Sequence, residues 1–78
     1  MKATHTVNYG GCWIDFQIAK TGDGKKWSYR QVLVYQDQRG ITFDEIRRLP
    51  GHWRESYPTR KAVIAMITND GKYEIEKV

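Results

Sequence analysis

Between Cys12 and Ala19 the chain alternates without a break, with Cys12, Ile14, Phe16 and Ile18 on one side and Trp13, Asp15, Gln17 and Ala19 on the other. In an extended chain successive side chains point to opposite faces. This stretch is therefore expected to be a strand whose apolar face covers a core and whose other face carries Trp13. Such a strand cannot stand alone, so its neighbours must supply partners. Seventy-eight residues fill one core, and the chain is read as a single compact domain spanning 1–78. Its 40% hydrophobic and 13% aromatic content is enough to build that core and argues against disorder.

The flanking segments read as partners. His5, Val7 and Tyr9 alternate with Thr4, Thr6 and Asn8, and Gly10-Gly11 then allows a tight turn or a bulge. After the alternating strand, Thr21-Gly22-Asp23-Gly24-Lys25-Lys26 has the composition of a hairpin connection. A third strand is expected over Trp27 to Gln36. There Trp27, Tyr29 and Tyr35 would share a face with Leu33, opposite Val32 and Val34. Asp37-Gln38-Arg39-Gly40 reads as a turn and Ile41-Thr42-Phe43 as a short returning strand, and Asp44 to Leu49 as a short helix or loop ended by Pro50-Gly51.

Thr59, preceded by Pro58, is placed to cap a helix that begins at Arg60, with Val63, Met66 and Ile67 on one face and Ala62 beside them. Asn69-Asp70-Gly71 would end it, with Gly71 as the left-handed residue. Lys72 to Val78 then alternates as an edge strand with a charged outer face. The β-branched content of 62–68 and the Asn-Asp-Gly turn also fit a β-hairpin, but Thr59, two alanines and a methionine favour the helix. The expected architecture is α+β: a small antiparallel meander of three or four strands, one helix packed on a face, and a C-terminal strand.

Charge is concentrated in one place. From 46 to 61, Arg47, Arg48, Arg54, Arg60 and Lys61 face only Glu55, so this stretch alone matches the net charge of +4. It also carries His52, Trp53 and Tyr57. A basic patch with interleaved aromatics suits an anionic partner, because cations neutralise phosphates and rings stack on bases. Lys25, Lys26 and Arg30 are secondary basic candidates. Solvation of a charged face and packing of Trp53 over the core would account for the same residues without a ligand.

Chemistry finds little support. Cys12 is the single thiol and falls on the apolar face, His5 and His52 are the two histidines, and no metal-ligand spacing links them. Asp44-Glu45 reads as a helix start and Glu74/Glu76 as one side of an edge strand, so neither is an acid/base pair. Thr21 to Lys26 joins two strands and lacks the phosphate-loop spacing. No catalytic residue, metal or cofactor is expected.

A strand meander with one packed helix is similar in outline to several small RNA- and DNA-binding folds. The chain shows no ribonucleoprotein aromatic signature, G-x-x-G clamp or helix-turn-helix pattern. The expected role is a small basic non-catalytic protein that contacts nucleic acid through residues 47–61. The alternative is an adaptor or inhibitor that masks a protein surface, an acidic one by charge, without touching nucleic acid. An edge strand and spare tryptophans suit a homodimer. One cysteine, no basic-then-apolar leader and no apolar run near ~20 residues lead to the expectation of a cytoplasmic protein away from membranes.

Overall fold

A computed structural model describes residues 3–36, 40–41 and 51–78. Five strands, β1 (His5–Asn8), β2 (Cys12–Lys20), β3 (Trp27–Gln36), β4 (Gly40–Ile41) and β5 (Glu74–Lys77), form one sheet in the order β4-β3-β2-β1-β5. Every pairing is antiparallel. One helix, α1 (Arg60–Ile67), packs on a face of this sheet. The expected meander, helix and C-terminal strand are all present, and residues 62–67 are helical rather than extended. The expected turn at 37–39 and the short helix or loop at 44–49 lie outside the described residues, as do Thr42 and Phe43.

Pairing follows the alternation that marked β2. Val7 sits opposite Ile14, and Ile14 opposite Val34, so one face collects Val7, Ile14, Phe16, Ile18 and Val34. Val7 and Val63 are fully buried where this face meets α1, and Phe16, Ile18 and Ile67 close the cluster. The register of β3 departs from simple alternation. Asp15 pairs with Leu33 but Phe16 pairs with Gln31, which leaves Val32 as an extra residue in β3. A bulge of this kind resets the pleat. As a result Val34 joins Trp27 and Tyr29 on the helix face, and Leu33 goes to the opposite face; the uninterrupted alternation expected for this strand does not hold.

Both ends of α1 are tied down. The Thr59 side chain accepts from the Ala62 amide at 3.1 Å, as its position before the helix suggests. At the far end the Asp70 amide bonds to the Ala65 carbonyl (2.7 Å) and the Asn69 amide to the Met66 carbonyl (3.3 Å), the paired bonds of a Schellman stop. The first left-handed residue is therefore Asn69, with φ 52°, and Gly71 is the third in a left-handed run rather than the C′ residue expected. The Tyr9 hydroxyl donates to the Ile67 carbonyl, joining the end of β1 to the last turn of the helix. This seating turns Val63 and Ile67 inward with Ile64 beside them and leaves Met66 39% exposed, which corrects its expected place in the core.

Candidate nucleic-acid interface

Residues 51–57 run along the outer edge of β3. The Gly51 amide bonds to the Gln31 carbonyl (2.9 Å), the Arg54 amide to the Tyr29 carbonyl (2.9 Å), and Tyr57 and Trp27 exchange backbone bonds at 2.7 and 2.8 Å. The Ser28 hydroxyl adds a bond to the Arg54 carbonyl at 2.6 Å. Backbone groups that would otherwise line an open edge are thus paired, which removes one template for aggregation. Main-chain bonds can be made by any residue, so they hold the segment without requiring an apolar pattern.

Held this way, its side chains face outward. His52, Trp53, Arg54, Glu55 and Ser56 are exposed and Tyr57 is half-buried. Trp53 keeps 44% of its surface in solvent. Arg30 of β3 covers it, with the guanidinium carbon 4.5 Å from the ring centroid, and Arg30 Nε donates to Gln17 Oε1 at 3.0 Å. The Tyr57 phenol is raised above its ordinary value by desolvation and by the Glu55 carboxylate, to which it hydrogen-bonds.

A second cation and aromatic cluster lies on the helix face, where β2 and β3 meet their connection. Trp27, half-buried against the core, has Lys20 Nζ 5.7 Å and the Arg60 guanidinium carbon 5.8 Å from its ring centroid. Cations at this range over an indole are attracted by the ring's negative face. Lys61 follows Arg60 in the exposed first turn of α1, where the backbone itself is electropositive. His5 lies on the helix face directly opposite Lys77 of β5. Burial, then the charges of Arg60 and Lys77, hold its imidazole below the ordinary value of 6.5.

Trp53 of the first cluster and Lys20 of the second line a groove of about 520 Å³, together with Thr21, Gly22, Ser28, Arg54, Glu55 and Ser56. One rim is the β2–β3 connection. There the Thr21 amide bonds to the Lys26 carbonyl (2.9 Å), and Asp23 accepts from the Thr21 hydroxyl and the Lys25 amide. Those donors, the hydroxyl first, hold the Asp23 carboxyl below its usual range. Lys25 and Lys26 are exposed on this rim.

Of the residues singled out in the sequence, Trp53, Arg54, Arg60, Lys61, Lys25, Lys26 and Arg30 fall around this end of the domain. His52 and Tyr57 belong to the same segment, while Arg47 and Arg48 lie outside the described residues. The sequence reading did not single out Lys20, and it placed Trp27 in the third strand without assigning it to the site. They flank the hairpin connection and pair directly across it, so counting outward from Thr21 and Lys26 would have found them.

Among the described residues no group of three or more His, Cys, Asp or Glu side chains is arranged to hold a metal ion, and no helix is long and apolar enough to cross a membrane. No family model matches the chain, and no curated protein or solved structure matches it either.

Proposed function

We propose that this is a small non-catalytic nucleic-acid-binding protein that uses the surface formed by residues 52–61, the β2–β3 connection and Arg30. The observation that carries the reading is the pairing of cations with tryptophans on both faces of the sheet toward its β2–β3 connection: Arg30 on Trp53, and, on the helix face, Lys20 and Arg60 on Trp27. A merely solvated charged face has no need of an exposed indole, because removing such a ring from water is favourable and a fold tends to bury it. Phosphate contacts supply most of the affinity of such proteins, and aromatic faces add contacts that tolerate any base. Exposed Arg54, Arg60 and Lys61 are the natural phosphate partners.

Reversing these three charges together, Arg54→Glu, Arg60→Glu and Lys61→Glu, tests the reading. Glutamates in the first turn of α1 suit its positive end, so the fold is expected to survive. Binding to oligonucleotides at low salt should then be lost while the circular dichroism spectrum is kept. Unchanged affinity would remove this surface from the account, and a protein partner would become the class to pursue.

A further inference from the structure

The fold treats its three tryptophans differently. Trp13 is half-buried on the face away from the helix, and Trp27 is half-buried with Lys20 and Arg60 at its ring. Trp53 is the tryptophan that stands in solvent. Its ring is placed between two features of β3. Arg30 lies against it, held in turn by Gln17, and Ser28, two residues back on the same face, contributes to the groove that Trp53 also lines. Ser28 is itself buried, and its hydroxyl is held by the Arg54 carbonyl.

The opposite rim is open. Gly22 has no side chain, and a Cβ built there would meet nothing within 4 Å. About 520 Å³ falls within the range of pockets that take a small flat ligand. Lys20 and Arg54 flank it, and Glu55 is the one acid in its lining. A paired base is covered on both faces inside a duplex and cannot lay a π-face on an indole, whereas an unpaired base can.

Resting on the nucleic-acid reading above, we propose that this groove takes one unpaired base of a single strand. The base stacks on the Trp53 face opposite Arg30, and the flanking phosphates lie on Lys20 and Arg54. Arg30 fixes the plane of the ring and shields its far side.

The test compares three probes at low salt: a mixed-sequence single-stranded DNA oligonucleotide, a strand of the same length made entirely of abasic sites, and the matching duplex. Binding is read by fluorescence anisotropy with the intact chain and with Trp53→Ala, whose folding is checked by circular dichroism. The base-bearing strand is expected to bind at least about tenfold tighter than the abasic one, and Trp53→Ala should erase that difference. Equal affinity for the two strands, a preference for duplex, or a base preference that survives in Trp53→Ala would overturn the stacking site while the broader reading stands. No binding to any probe would overturn both.

Discussion

The guanidinium carbon of Arg30 lies 4.5 Å from the centre of the Trp53 ring, joining the middle of a sheet strand to the segment that runs along its edge. A cation over an exposed indole contributes ~0.5–1 kcal/mol. Replacing Arg30, Trp53 and both by alanine in a double-mutant cycle followed by urea denaturation should return a coupling of about that size. Trp53→Ala alone should cost little stability, since nearly half of its surface is already in water. A loss of several kcal/mol would mark Trp53 as part of the core.

The seating of α1 is tested by two truncations one turn apart. Val63 is fully buried against Val7 and Phe16, so Val63→Ala should destabilise by roughly 2 kcal/mol from lost burial and the cavity left behind. Met66, 39% exposed, should tolerate alanine within ~0.5 kcal/mol. Chemical denaturation of the two variants checks both values. Comparable losses at the two positions would restore the face expected from the sequence, on which Val63 and Met66 are both buried.

The Tyr9 hydroxyl ties the end of β1 to the last turn of α1. Burial first, then Tyr29, Tyr73 and Cys12, push its ionisation up to about 12, so it stays a donor throughout the ordinary pH range. Tyr9→Phe keeps the ring contacts with Phe16 and Tyr73 but leaves the Ile67 carbonyl without this donor. The variant should lose about 1–2 kcal/mol, measured by thermal or urea unfolding.

His5 makes stability depend on pH. Its proton is bound less tightly in the folded chain than in the unfolded one, because the site is buried and Arg60 and Lys77 are near. The unfolded state therefore takes up more protons as pH falls. The His5 contribution is fully present above about 6.5 and is lost as pH drops from there through the lower folded value. Denaturation midpoints between pH 7.5 and 5 should fall, and His5→Gln should flatten that part of the curve.

Much of the fold was legible because local patterns and packing agree. The β2 alternation, the glycine turn after Asn8 and the Thr59 cap each mark an element whose side chains then do what the pattern implies. Three features were not legible, each for a physical reason. The extra residue Val32 leaves no mark at the head of Val32-Leu33-Val34-Tyr35, which is apolar or aromatic at every position, so the face change after it follows only from pairing with β2. Met66 and Ile64 are equally apolar at helical spacing, and the choice between them depends on the angle at which α1 meets the sheet. Asn69 takes the left-handed position in place of Gly71 because the helix ends two residues earlier than the glycine suggests.

The candidate site was legible as composition and only partly as geometry. Charges and rings from 52 to 61 stood out, yet what brings Arg30 to Trp53 is the backbone pairing of Gly51, Arg54 and Tyr57 with β3, and hydrogen bonds of that kind have no sequence period. Lys20 and Trp27 enter the site through the hairpin register.

The measurement that bears most directly on the central claim is binding of the intact protein to mixed-sequence single- and double-stranded DNA and RNA, followed by anisotropy from low to physiological salt. If about four cations neutralise phosphates on a single strand, log affinity should fall against log salt with a slope of roughly −3. Affinity that is absent at low salt, or present but indifferent to salt, would contradict a protein that holds nucleic acid through Lys20, Arg54, Arg60 and Lys61.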